Sequence, residues 1–538
     1  MTLPIPSPPT HSGADPAVVA TPSSKKPLSF HLSIALLGLI GLIVTLDSTS
    51  LAVTLPSIAN ELRATTLESF WANISFTVTV AVTQPIYSSV SDVFGRKTPL
   101  YFSMTIFAVG AIVFATASSI DTVILGRTLM GFGGGGMDVL QVVILSDITT
   151  LREKPFWISV NGIFIAFGAV AGPLVGGLAS QLGSWRILGW IHLPIVAVCF
   201  ALTFFFLHLK PLSTDLSTKF NRLDWIGMLL FLTGSVLVAL PISWANSLYP
   251  LASWKTLFPL ILGFLLLLVL AIYEKRPPEP VFPHRIFNNI TAVAVVISGF
   301  VCGLLTYTVL AYLPLFFQAV YLQGPLAAAI STLPICVLVV AFSAISGFVV
   351  GFLRRYRAVL WLGWIFSTVF LGLFYLINKS SPSEAYAFQA FAGAGIGTII
   401  TVTAVPLQAS VERIDDSGLA AGIYLTSRLF GAVIGLAISS TVFTSVFQAK
   451  IDAIDFLPES ASLLRDASNA LDSIYSLAAL ELPPESLNAI VEVYHESFRT
   501  IWIILATLSG VGLLTSLFIK ELTLEKDDAG RQGFQEPM

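Results

Sequence analysis

Long apolar stretches separated by brief polar turns run along most of this chain. They fall near residues 31–55, 69–90, 98–118, 122–146, 156–180, 186–208, 223–243, 255–273, 290–320, 326–351, 358–378, 385–409, 418–446 and 498–519. Each approaches or exceeds the roughly 20 residues that a helix needs to cross the hydrocarbon layer. Apolar and polar residues do not alternate in twos within them, so spanning helices are predicted rather than barrel strands. The fold class that follows is an all-α polytopic membrane protein with 14 transmembrane helices.

Charge sharpens this picture. Charged residues make up 11% of the chain, against about 25% in soluble globular proteins. Hydrophobic residues make up 55%, and the mean hydropathy is +0.84. With the N-terminus placed inside, nineteen of the 28 Lys and Arg residues fall on the inner side and seven on the outer, while Arg127 and Arg428 lie within spans. The positive-inside rule therefore predicts that both termini are cytoplasmic, and the plasma membrane is the expected location. The net charge of −3 speaks against a nucleic-acid partner, whose binding surface would be strongly basic.

Residues 1–29 are rich in Pro, Ser and Thr, which predicts a disordered tail and no removable signal peptide. Cys199, Cys302 and Cys336 fall in apolar stretches and read as buried hydrophobes, not as a disulfide framework or a metal site. His192 and His208 are too far apart to suggest a metal site either. Nothing resembles a phosphate-binding loop, so an ATP-driven pump is not expected. No catalytic arrangement is present, and no cofactor or metal is expected.

In so apolar a chain each charge in or beside a span is a candidate for function. The turn Ser91–Lys97 groups Asp92, Gly95, Arg96 and Lys97 between spans two and three. Asp92 can pair with Arg96 four residues on, or accept from a neighbouring helix N-terminus. Such a contact would act as a conformational latch. Asp47 and Arg127 lie at similar depth in spans one and four by the rise of about 1.5 Å per residue. Asp138 follows Arg127 by eleven residues and returns to nearly the same face, about 16 Å away. It is a second candidate for a proton or cation, with Arg428 in span thirteen a further one. Gly168, Gly172 and Gly176 share a face of span five, permitting close helix contact, and Pro173 removes a backbone donor there. Tyr307, Tyr312 and Phe316 in span nine, with Trp71 and Phe76 in span two, are candidates for a hydrophobic pocket, though packing explains any one of them. Gly347–Arg355 (GFVVGFLRR) can be laid over Ser88–Arg96 (SSVSDVFGR), a weak internal repeat of the kind that duplicated transporters carry. The 447–497 segment is the one long external loop, a gate, lid or spacer with short helices expected at 463–480.

An ordered set of motifs gives these residues a common frame. Ser88–Lys97 (SSVSDVFGRK) resembles the loop signature of the major facilitator superfamily, with Ser88 replacing its leading glycine. Gly126–Gly133 (GRTLMGFG) resembles its basic fourth-helix motif, and Gly168–Gly177 (GAVAGPLVGG), including Pro173 and Gly177, its antiporter motif. Trp185–Pro194 (WRILGWIHLP) resembles the opening of helix six, with His192 where the family usually has Asn. Leu46–Pro56 (LDSTSLAVTLP), Pro406–Gln408 and Arg428–Gly431 are similar to the fourteen-helix drug:proton antiporters.

The resemblance covers residues 30–520. It implies two six-helix halves, 30–208 and 287–520, a 209–286 linker carrying helices 7 and 8, and a cytoplasmic tail at 521–538. It places helices one and four close together, so that Asp47 and Arg127 can form a protonatable pair. The bland alternative leaves Asp47 at the external interface. The implied function is a monomeric, proton-coupled antiporter, driven by the proton gradient, that exports small hydrophobic molecules such as drugs or secondary metabolites. A siderophore importer, a vacuolar basic amino-acid carrier and a non-transporting sensor are the alternatives.

Overall fold

A computed structural model describes residues 26–524, apart from 63–65, 182–183, 211–222, 246–248, 251, 278, 378, 380–381, 414–415, 455–456, 468–469 and 478–481. The expected tail up to residue 25 and the tail from 525 lie outside the described residues.

Among the described residues fourteen long helices follow in order: α1 (Leu28–Leu62), α2 (Thr66–Phe94), α3 (Lys97–Ala115), α4 (Ile120–Ile148), α5 (Lys154–Gln181), α6 (Ile187–Phe205), α7 (Trp225–Trp244), α8 (Trp254–Tyr273), α9 (Ile290–Val320), α10 (Leu333–Leu353), α11 (Arg357–Leu373), α12 (Pro382–Val402), α13 (Ser417–Ile451) and α14 (Pro484–Ser516). Short helical turns at Pro325–Ser331 and Ala404–Ser410 extend α10 and α12. Among the described residues, 13 helices are long and apolar enough to cross a membrane. The remaining long helix, α2, carries Thr83, Gln84, Ser88, Ser89 and Ser91, all buried. It is surrounded by α1, α3, α4, α7 and α13, so its polar groups are kept from lipid.

The packing repeats with an offset of eight helices. In the first half α1 packs on α5, α2 on α4 and α3 on α6; in the second α9 packs on α13, α10 on α12 and α11 on α14. These are two six-helix halves. The α7–α8 pair is added at the side, where Ala239 meets Val78 and Val82 of α2 and Val433 of α13. The halves meet along α2–α13 and α5–α10. Both ends of the described chain lie on one face: Lys26 pairs with Glu153, while Lys520 donates from its backbone to Thr291 Oγ1 at 3.2 Å, beside the start of α9. This is called the terminal face below.

The segment expected as a loop at 447–497 is shorter, because α13 runs to Ile451 and α14 begins at Pro484. Charges at Glu485, Glu492, Glu496 and Arg499 interrupt the apolar run, but Ile490, Val493, Tyr494 and Phe498 alternate at helical spacing and are buried. Between the two helices lie the turns Glu459–Arg465 and Ala470–Leu477, close to where short helices were expected. Leu464, Ile474 and Leu477 are buried in the core of the second half, and the Tyr494 hydroxyl donates to the Ala470 carbonyl at 2.6 Å. The segment is therefore packed as well as connecting.

Candidate functional site

Helix α4 supplies one member to each of three polar clusters, at Arg127, Asp138 and Asp147. Its run of glycines makes this possible. A methyl group added at Gly131 or Gly135 would strike the backbone of α2, and one at Gly133 the backbone of α3. The helix is thus clasped between two neighbours whose side chains converge on its charges.

The first cluster lies toward the face opposite the termini. Arg127 Nη1 is 2.7 Å from both carboxylate oxygens of Asp47, and the two residues are 1% and 3% exposed. The pair expected from the sequence is therefore formed, and Asp47 is buried rather than placed at an interface. The guanidinium also donates from Nε to the Ala72 carbonyl at 3.4 Å and lies 4.3 Å from the centre of the Phe76 ring, a favourable cation–π arrangement. Beside it, His192 of α6 is fully buried, with Nε2 3.8 Å from Asp47 Oδ1.

In the middle of the bundle, Gln84 Nε2 donates to Asp138 Oδ2 at 2.7 Å and Asn161 Nδ2 to Gln141 Oε1 at 2.6 Å. Arg428, on α13 in the other half, is near enough for its charge to act on Asp138. It is also near Tyr307 and Tyr424. Asp138 and Arg428 thus lie in one region of the bundle, apart from the Asp47–Arg127 pair. Tyr312 and Phe316 are buried against Phe443, Phe498 and Trp502.

The third cluster closes the terminal face. Gly95 turns the chain between α2 and α3 with φ 91°, a conformation that a side chain would strain. Arg96 is thereby folded back beneath the turn. It pairs with Asp92, donates from Nε to Asp147 Oδ2 at 2.8 Å and from Nη1 to Ser91 Oγ at 2.6 Å. Lys97 takes no part in this and lies over the Tyr101 ring. Of the two contacts the sequence allowed for Asp92, the Arg96 pair is formed, and the acid that borders Gly418 at the start of α13 is Asp147. Asp147 was missed because it follows the apolar run of span four and its partner is distant in sequence.

Around this knot the halves are bonded to each other. Lys154 Nζ donates to Ser417 Oγ at 2.5 Å, and Ser146 Oγ is within hydrogen-bond distance of Gln408 and Ser417. Arg285, at the end of the linker, makes a two-pronged pair with Asp416 at 2.7 and 2.8 Å. Two Ser/Gly contacts occupy equivalent places. Ser88 of α2 fits against Gly422 of α13, and Gly347 of α10 fits against Ser159 of α5. The serine at the head of the turn is thus accommodated by a glycine opposite, and its repeat-related copy has the two roles exchanged.

The glycines of α5 form another close seam. A methyl group at Gly168, Gly172 or Gly176 would collide with the carbonyls of Leu42, Leu46 or Ser50 on α1, immediately around Asp47. Pro173 lies within the same helix. Gly177 differs, with nothing within 4 Å of an added methyl. Gly172→Leu should therefore lower transport more than about tenfold in protein that still reaches the membrane, since overpacking costs about 1–3 kcal/mol. Gly177→Leu should transport normally. Equal rates for the two, normalised to surface protein, would remove the seam from the mechanism.

On the face opposite the termini, ligand atoms of Glu492, His495 and Glu496 lie within 4.8 Å of one another. Lys379 and Arg499 already neutralise the two carboxylates, which leaves little charge for a metal ion.

Comparison with known proteins agrees with this architecture. The family model of the Major Facilitator Superfamily matches residues 37–436. The chain is 42% identical to the MFS-type transporter sphD of Aspergillus fumigatus, covering 98% of this chain and 91% of that one. It is 30% identical to the MFS-type efflux pump MMF1 of Pseudozyma antarctica, covering 94% and 93%. The crystal structure of the human organic anion transporter MFSD10 aligns with a TM-score of 0.59 at 14% identity, over 92% of this chain and 100% of that one.

Proposed function

Because this chain belongs to the Major Facilitator Superfamily, we propose that it is a proton-coupled exporter of small, largely apolar organic molecules, working by alternating access. The observation that carries this reading is the buried Asp47–Arg127 pair, set against the α1–α5 glycine seam. An ion pair enclosed this deeply is costly to retain for stability alone. Placed where two helices slide on glycine, it can couple a change of charge to a change of packing. The efflux pump named among the relatives supports the outward direction.

In the conformation described, the terminal face is closed by the Arg96 knot and the contacts around Ser417. The excess of Lys and Arg on that face supports its assignment as cytoplasmic, and the plasma membrane is the location proposed. A transport cycle follows. Protons entering from outside alter the Asp47 cluster, α5 moves along α1, and the terminal face opens to load cargo. Asp138 of the first half and Arg428 of the second meet that cargo.

The test is expression in a drug-sensitive host with metabolite profiling of cells and medium. Export predicts resistance and reduced accumulation, both reversed by a protonophore. Greater accumulation would indicate import, and no change would indicate a sensor.

A further inference from the structure

His192 is buried completely, yet neither ring nitrogen makes a hydrogen bond. A neutral imidazole carries one N–H and one lone pair, and leaving both unmatched in a buried site is unfavourable. The nearest polar surroundings explain the arrangement. The Leu188 backbone lies one turn back on α6, close to the ring, while Nε2 lies 3.8 Å from Asp47 Oδ1. In the tautomer that carries its proton on Nδ1, the Nε2 lone pair lies beside a carboxylate oxygen. Two acceptors then confront one another with no proton between them.

The rest of the enclosure is apolar or already committed. Phe107 of α3 presents its ring to the imidazole edge-on, with centroids 5.6 Å apart. Asp47 from α1 and Arg127 from α4 are the charged groups that act on it. Arg127 has a second nitrogen, Nη2, without a partner, and retains the Ala72 carbonyl and Phe76 face if Asp47 leaves.

We propose that His192 is the group that receives the coupling proton, and that its protonation transfers Asp47 from Arg127 to His192. This deepens the proton-coupled reading above and rests on it. The proton arrives as hydronium, adds to the Nε2 lone pair and leaves water. The new N–H then faces the carboxylate, and a closure of about 1 Å gives a charge-assisted hydrogen bond of ordinary length. Asp47 stays ionised throughout and exchanges a partner on α4 for one on α6. Since Asp47 is flanked by the α1–α5 seam, this exchange draws on the contact that must slide.

The experiment uses the full chain in proteoliposomes with an imposed pH difference and a transported fluorescent cation as probe. On the steep limb, wild-type rate should change by about tenfold per pH unit, and in His192→Asn and His192→Gln by less than about twofold. Histidine 15N resonances of the wild type and Asp47→Asn provide a readout independent of any His192 variant. One resonance should titrate with pH and move its midpoint in Asp47→Asn. Wild-type pH profiles in both His192 variants, or no resonance that responds to Asp47→Asn, would overturn the assignment while leaving proton coupling intact. Wild-type transport indifferent to the imposed gradient would defeat the underlying reading and this inference with it.

Discussion

Asp47→Asn should reach the membrane in near-normal amounts and lose the response of transport to pH. Asparagine preserves the shape of the side chain and an acceptor for Arg127, which also keeps the Ala72 carbonyl and the Phe76 ring. What disappears is the negative charge that two cations can share. Arg127→Ala should behave differently. It leaves a carboxylate buried without its principal partner, a loss worth about 3–5 kcal/mol, so folded protein should fall sharply. Combining Asp47→Asn with Arg127→Gln should restore the yield and not the coupling, because no uncompensated charge remains. Initial rates at fixed pH difference, divided by surface protein, separate the two effects. Full pH-dependent exchange in Asp47→Asn would remove Asp47 from the coupling mechanism.

The contrast between these variants reflects what a sequence can and cannot convey. Hydropathy located the helices because each span must bury its own backbone hydrogen bonds, a requirement met locally. It misplaced the start of α14, where Glu492, Glu496 and Arg499 interrupt an apolar face that continues beneath them. The Asp92–Arg96 pair was legible because it obeys the four-residue spacing of one helix. Asp147 was not, being 51 residues from Arg96 and just beyond an apolar run. Lys97 and Gly177 were included as members of the motifs the chain resembles; Lys97 lies over the Tyr101 ring and Gly177 has open space beside it. His192 was visible only as an unusual residue in a familiar position. Its meaning depends on Asp47 lying beside it, which no local spacing encodes. The exchange of Ser88–Gly422 for Ser159–Gly347 is similar: the repeat hinted at equivalent turns, while the compensating residues sit on other helices.

Arg96→Ala should release the terminal face and slow transport by an order of magnitude or more. Arg96 holds two carboxylates, and its removal leaves Asp92 and Asp147 unpaired and mutually repelling in the closed conformation. The penalty of about 3–5 kcal/mol for a broken buried pair applies chiefly to that conformation, because opening hydrates both acids. At about 1.4 kcal/mol per tenfold change, the ratio of closed to open protein should drop by about two to three and a half powers of ten. A spin-label pair across α4 and α13 should accordingly report a longer distance, with cargo affinity from the terminal side retained. The two acids should not contribute equally. The Asp92 side chain is 25% exposed and that of Asp147 2%, so water screens the first and not the second. Asp92→Asn, losing a partly exposed pair worth about 0–1 kcal/mol, should therefore slow turnover only a few-fold. Asp147→Asn removes the anion at the start of α13 and should approach the Arg96→Ala phenotype. A larger effect for Asp92→Asn than for Asp147→Asn would mean that the short-range pair, and not the link from α3 through α4 to the other half, keeps this face shut.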